Sequence, residues 1–256
     1  MMKPNILVIA GHDPSGGAGI HADIEAIHAL GGFASTLITA LTVQNSRNVT
    51  GFQLTPIELL ERQADALLAD YHYQAVKIGM TGSVAMVEWI ARLLARLPGV
   101  PVVLDPVLAA EAGGSLSQGD LAETMLNRLA PLTTVLTPNL PEAEKLSGES
   151  GVDAAGTALA ARTGRAVLVT GTHDDTDQVS NHLFHGERRH HWDWPRLPEV
   201  YHGSGCTLAS ALATRLARGD ALDDATGAAQ AWLHQGLRDA WRPGGGQFVP
   251  DRRFQP

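Results

Sequence analysis

Asn5-Ile6-Leu7-Val8-Ile9-Ala10-Gly11-His12-Asp13-Pro14-Ser15-Gly16-Gly17-Ala18-Gly19 is an apolar run that breaks into a glycine-rich loop. An apolar run without polar alternation suits a strand covered on both faces, as in parallel sheets. Residues 6–10 therefore predict a buried strand. Four glycines within residues 11–19 let the chain turn tightly and approach a ligand closely. The loop is neither a dinucleotide fingerprint nor a Walker phosphate loop, because its glycine spacing and its lack of lysine are both wrong. Asp23 falls one turn into the following helix, expected over 21–30 and ended by Gly31-Gly32, and with the loop it points to a buried polar site.

Outward from this stretch the same alternation continues. Strands are expected over 35–41, 75–78, 102–104, 134–136 and 166–169, and helices over 84–97, 120–128, 141–146, 154–163, 205–218 and 223–241. Another helix begins at Thr55-Pro56-Ile57-Glu58, where Thr as N-cap, Pro at the first position and Glu three residues on agree. Behind it Leu59, Leu60, Gln63, Ala64, Leu67 and Leu68 give a mainly apolar face. Residues 178–194 alternate with period two and predict a hairpin, and the tail after Pro243 reads as loop. Strands separated by helices of this length argue for one α/β domain over residues 1–256, a parallel sheet with helices on both faces. With the last helix close to residue 256, no second catalytic domain is expected.

The formal net charge of −8 argues against general nucleic-acid binding. Lys3, Lys77 and Lys145 are the only lysines, so arginine carries most of the positive charge. A single cysteine, Cys206, excludes an internal disulfide and a Cys-rich metal site. The first apolar run is too short for a signal-peptide core, and none approaches the roughly 20 residues of a membrane span. A cytoplasmic protein without membrane partners is expected.

Ligands of open α/β sheets bind beyond the carboxyl ends of the strands, and the least ordinary residues here follow expected strands. His202-Gly203-Ser204-Gly205-Cys206-Thr207 precedes a helix of small residues. Two glycines before a helix free successive N–H groups to converge where the dipole favours negative charge, an anion hole suited to a phosphoryl group. The same dipole is expected to lower the Cys206 thiol below its ordinary range. The alternative is a plain turn beside an inert cysteine. Asp105, after the run 102–104, and Glu142, in Thr137-Pro138-Asn139-Leu140-Pro141-Glu142, suit Mg²⁺, which takes one or two carboxylates plus water and phosphate oxygens. Asn139 with Glu142 three residues on is also a capping box, and Asp105 before Pro106 also reads as a turn. His190-His191 has no partner at metal-ligand spacing and reads as surface decoration. His173, after the strand at 166–169, would line a nucleotide site only weakly.

Together these segments resemble the hydroxymethylpyrimidine/phosphomethylpyrimidine kinases of thiamine synthesis. The resemblance runs through residues 9–23, Ala40-Leu41-Thr42-Val43-Gln44-Asn45, Lys77-Ile78-Gly79-Met80, Leu104-Asp105-Pro106-Val107, residues 137–143 and His202-Gly203-Ser204-Gly205-Cys206-Thr207-Leu208. It implies a ribokinase-like three-layer α/β/α fold with a mostly parallel central sheet, usually as a homodimer. It also implies ATP- and Mg²⁺-dependent phosphorylation of 4-amino-5-hydroxymethyl-2-methylpyrimidine and then of its monophosphate. By the resemblance Gly11, Ala18, Asp23, Gln44, Met80 and Val107 line the pyrimidine pocket. Gly203, Ser204 and Gly205 form the anion hole, and Cys206 is the candidate base. Asp105 and Glu142 manage Mg²⁺, with Asn139 and Thr170 near the phosphates of ATP.

The chain departs from the family where Thr170-Gly171-Thr172-His173 replaces a common Lys-Gly-Gly-His, where residues 195–201 lack a Thr/Asn-rich lead-in, and in the tail at 244–253. The alternatives are a pyridoxal-type kinase of vitamin B6 salvage, whose substrate also carries a hydroxymethyl beside a heteroaromatic nitrogen, and a non-catalytic pyrimidine-binding sensor.

Overall fold

The computed structural model describes residues 3–108, 118–171 and 177–253. Among these, nine strands form one sheet in the order β3-β2-β1-β4-β5-β6-β7-β8-β9. The apolar run is β1 (Asn5–His12), two residues longer at its carboxyl end than its composition suggests. It pairs in parallel with β2 (Phe33–Gln44) and β4 (Ala75–Ile78). The parallel set continues through β5 (Val102–Leu104), β6 (Val135–Leu136) and β7 (Ala166–Thr170). The expected hairpin is present as β8 (Gln178–His185) and β9 (Arg188–Pro195), antiparallel to each other and, through β8, to β7.

Alternate residues of β1 feed two cores, which is why the run shows no polar alternation. Leu7 and Ile9 join the layer of α2 (Ile57–Asp70), α3 (Val84–Leu94), α5 (Leu140–Ser147) and α6 (Val152–Thr163). Ile6, Val8 and Ala10 join the layer of α1 (Gly19–Ala29), α7 (Ser204–Ala217) and α8 (Leu222–Arg238). The result is the three-layer α/β/α arrangement.

Four local expectations are corrected. Strand β3 (Val49–Leu54), antiparallel to β2, adds to the expected set. Its signal lies in the turn before it, where the Asn45 side chain accepts from the N–H groups of Arg47 and Asn48 as Asx turns do. Thr55 does not cap α2: Pro56 is the N-cap residue and no side chain caps the helix. Thr55 N–H instead donates to the Thr39 carbonyl at 2.9 Å, which ties it to β2. The helix expected over 120–128 is not one regular piece: α4 (Gln118–Thr124) runs into a π turn (Met125–Leu129) and a 3₁₀ turn (Ala130–Leu132). Pro131, which has no N–H to donate, ends it. Helix α3 stops at Leu94 rather than residue 97.

Candidate active site

The carboxyl ends of the parallel strands converge on one edge, and the residues there fall into two groups. The first surrounds the loop after β1. Asp13 Oδ1 accepts from Ser15 N–H at 2.8 Å and Ser15 Oγ–H at 2.7 Å, while Oδ2 accepts from Ala18 N–H at 2.8 Å. His202 Nε2 approaches the same Oδ2 at 2.8 Å and lies 3.1 Å from the Gln44 amide. Burial works to raise the Asp13 carboxyl, but His202 and Ser15 outweigh it and hold the group well below the usual carboxylate range. Gly17 is required here: a Cβ on it would lie 2.1 Å from His202 Cδ2. Gly11 faces Met80, with only 3.1 Å between a Cβ at Gly11 and Met80 Sδ. Ala18, Gln44, Met80 and Val107 are half-buried, as residues at the rim of a cleft should be.

Asp23 is not at that rim. It is fully buried beneath the loop, where it meets Lys77 Nζ at 2.7 Å and accepts from Ser210 Oγ–H at 2.7 Å. The expectation that it lines the pocket gives way to a supporting place under it. The reason is charge: Lys77 is itself fully buried on β4 and needs a carboxylate. Burial alone would lower the Lys77 ammonium, but Asp23, Cys206 and Asp105 surround it and raise it instead. Arg252, also buried, donates to Thr207 Oγ1 at 2.8 Å and to the Gly16 carbonyl at 3.4 Å, stitching the tail to the loop and to α7.

The second group lies at the mouth of β5, β6 and β7. Gly205, at the start of α7, would place a Cβ 3.8 Å from Asp105 Oδ1. The expected helix-dipole effect on Cys206 is overturned. Burial raises the thiol and the carboxylates of Asp105 and Asp23 add to it; Lys77 offsets only part, and the group is pushed up to about 12. Cys206 donates its S–H to Asp105, and Gly19 N–H donates to the sulfur. Burial also raises Asp105, against the pull of Lys77. Asn139 and Glu142 form the full capping box of α5, with Glu142 N–H donating to Asn139 Oδ1 at 2.9 Å and Asn139 N–H to Glu142 Oε2 at 3.0 Å. Burial and the neighbouring Asp105 charge raise the Glu142 carboxyl to about 8. Asn139 also bridges to Thr170, whose N–H donates to the Pro138 carbonyl at 2.9 Å. His173 lies outside the described residues.

Among the described residues no three His, Cys, Asp or Glu side chains gather as a metal cage. Two neighbouring carboxyls, both raised, at a sheet mouth beside a helix N-terminus nonetheless fit a hard cation that brings water and phosphate oxygens as its other ligands. The residues that composition and motif passed over are Asp13, His202, Lys77, Ser210 and Arg252. Asp13, Lys77 and His202 stood inside the quoted motifs, and their signal was the rarity of lysine and the density of polar groups in apolar surroundings. Ser210 and Arg252 had no local signal.

Residues 13–251 match the family described as phosphomethylpyrimidine kinase. A hydroxymethylpyrimidine/phosphomethylpyrimidine kinase of Streptomyces coelicolor is 39% identical, covering 95% of this chain and 92% of that one. The thiamine biosynthesis multifunctional protein ThiED of Corynebacterium efficiens is 38% identical over 97% of this chain, which spans only 35% of that longer protein. The pyridoxal kinase of Bacillus subtilis, solved as an ADP complex, superposes with a TM-score of 0.90 at 27% identity, covering 98% of both chains.

Proposed function

The chain belongs to the phosphomethylpyrimidine kinase family, and from that premise we propose that it transfers the γ-phosphoryl group of ATP to the hydroxymethyl oxygen of 4-amino-5-hydroxymethyl-2-methylpyrimidine. A second transfer, to the monophosphate, gives the diphosphate. The observation that carries this reading is the meeting of Asp105 with Gly205 and Cys206 at the start of α7, beside the Gly11–Met80 and Gln44 wall. Phosphoryl transfer depends on placing reactants in line and neutralising charge rather than on a strong base. The wall holds the flat heterocycle, with Ala18 and Val107 completing it. The free N–H groups of Gly203, Ser204 and Gly205 receive the developing negative charge at the helix N-terminus.

With its raised thiol, Cys206 is not a standing thiolate. Its role is a relay: the substrate hydroxyl proton passes to sulfur as the S–H proton passes to Asp105, so no net charge builds on the thiol. Glu142 would hold Mg²⁺, directly or through water, with Asp105 engaging it through water so that its carboxylate can still take the proton, and the ion would supply charge neutralisation on the phosphates. Asn139 and Thr170 stand next to that position for contacts to ATP. Localisation is proposed as cytoplasmic; among the described residues no helix is long and apolar enough to cross a membrane. The homodimer implied by the resemblance has a suitable face, because β2, β3 and α2 expose Leu41, Val43, Val49 and Leu59, with Leu41 and Leu59 lining a hollow of about 420 Å³.

A coupled ATP/Mg²⁺ assay with the hydroxymethylpyrimidine, its monophosphate and pyridoxal as separate substrates tests the reading. Turnover of both pyrimidines is expected. Turnover of pyridoxal alone would transfer the assignment to vitamin B6 salvage, a second reading favoured by the overlap with the Bacillus subtilis enzyme. No turnover of any would favour a binding sensor.

A further inference from the structure

We propose that Asp13 and His202 are positioning residues that fix the polarity of the Gln44 carboxamide, so that it offers its NH₂ end to a ring-nitrogen acceptor of the substrate. The inference rests on the pyrimidine-kinase reading and adds to it the device that selects the heterocycle.

The proton inventory around Asp13 settles the first link. Its carboxylate already accepts from Ser15 N–H, Ser15 Oγ–H and Ala18 N–H. An ionised carboxylate only accepts, so the fourth neighbour at 2.8 Å, His202 Nε2, must carry a proton and donate it. This holds whether the ring is neutral or cationic. The ring is held in place: its Cδ2 edge lies against Gly17, and the His202 backbone N–H donates to the Phe248 carbonyl at 2.8 Å.

Gln44 Nε2 lies 3.1 Å from the same ring nitrogen. An NH₂ there would set N–H against N–H. The two ends of a carboxamide are almost the same size, and the surrounding donors and acceptors decide which faces where. The carboxamide is therefore turned over from that placement, so that Oε1 faces His202 and accepts a share of the Nε2 proton. Nε2 of Gln44 is left as the free end, and an amide NH₂ can only donate. It matches a ring nitrogen with a lone pair and leaves a C–H or N–H at that position unmatched. The device needs no group to move on binding, because loop, ring and amide are ordered by protein partners beforehand.

The test compares kcat/KM for the hydroxymethylpyrimidine with that for its analogue in which the ring nitrogen flanking the amino-bearing carbon is replaced by C–H. Leaving the amide NH₂ unmatched in a buried site should cost the wild type about 10- to 100-fold. In His202→Phe the amide is free to turn, and the nitrogen-to-carbon ratio should fall to within about threefold, chiefly through KM. A ratio unchanged in that variant overturns the inference while leaving the kinase reading intact. Absence of wild-type turnover of the pyrimidine overturns both. Should His202→Phe not fold, the wild type answers by itself. The ¹⁵N–¹H signals of the Gln44 NH₂, identified by their loss in Gln44→Met, should move with the pyrimidine and not with the carbon analogue. No movement with either overturns the proposal.

Discussion

The two halves of the site are in opposite electrostatic states. Around the β1 loop every strong charge already has a partner within the protein: Asp13 with His202, Asp23 with Lys77, Arg252 with Glu25 and loop carbonyls. At the mouth of β5 and β6 burial and repulsion between carboxylates outweigh the neighbouring Lys77 and Lys145, and the carboxyls of Asp105 and Glu142 are both raised. The first half has its charges paired before any ligand arrives, which suits recognition of a neutral, rigid heterocycle. The second is held short of balance, which suits a cation and the phosphates it carries. Lys77 links them, since its ammonium feels Asp23 on one side and Asp105 and Cys206 on the other.

Removing the link should have the largest effect. Lys77→Met leaves Asp23 buried without its counter-ion, and breaking a buried pair from one side costs roughly 3–5 kcal/mol. Denaturant unfolding should show a loss of that size, with part regained in Lys77→Met/Asp23→Asn, where no uncompensated charge is left. A loss below about 1 kcal/mol would mean that the two halves are not coupled through this pair.

The next test asks on which side Cys206 belongs. A thiol pushed up to about 12 ionises only far above neutrality, so alkylation by iodoacetamide should be slow at pH 7. It should quicken by about tenfold per pH unit without levelling off below pH 10, since the thiolate is the nucleophile. As Cys206 is the only cysteine, mass spectrometry reads this directly. A plateau near pH 7 would restore the helix-dipole expectation. Cys206→Ala should lower kcat by about 10²- to 10⁴-fold, the usual range for a positioned proton-transfer group, and Cys206→Ser should keep more activity because a hydroxyl can relay.

Glu142 gives the unbalanced half its own pH signature. Its carboxyl is raised from 4.5 in the unfolded chain to about 8 in the folded one. The folded state therefore binds the extra proton, and stability falls as pH rises through the window from about 4.5 to 8. A tenfold difference in proton affinity between the two states is worth roughly 1.4 kcal/mol at most, and the exposure that Glu142 retains reduces it. Unfolding midpoints without divalent cation should decline from pH 5 to 8, and Glu142→Gln should flatten the decline. Mg²⁺ with a nucleotide should do the same. A midpoint that rises over this window would place Glu142 among ordinary surface carboxylates. Asp13 works in the opposite sense: its depressed carboxyl stabilises the fold above its ordinary value of 3.8, and this support is lost as pH falls below it.

How far the sequence could be read follows the same division. The strands were legible because apolar runs such as 6–10 and 102–104 serve two cores at once. The motif glycines were legible because close approach and positive φ leave them few substitutes, as at Gly17 and Gly203. What could not be read was long-range electrostatics. Local spacing puts Cys206 at a helix N-terminus, where a dipole lowers a thiol, but it cannot show two carboxylates from β5 and α1 closing round it. Nor can it show Asp23 drawn inward by a lysine on β4, or Arg252 returning over more than two hundred residues to the first loop.

The smallest expected effect tests that lesson on two capping signals of equal strength in the sequence. Asn139 and Thr55 each stand before a proline or leucine with Glu three residues on. Asn139 forms both reciprocal bonds of the box, whereas the Thr55 side chain caps nothing. Loss of a working N-cap costs about 1 kcal/mol, so Asn139→Ala should lower stability by that amount. Thr55→Ala should change it by no more than a few tenths. The difference has a structural cause: α5 begins where β6 ends and its first turn is free to adopt the capped geometry, while Thr55 N–H is already committed to β2. Equal losses at the two sites in chemical denaturation would mean that the local signal, and not the strand pairing, governs where α2 begins.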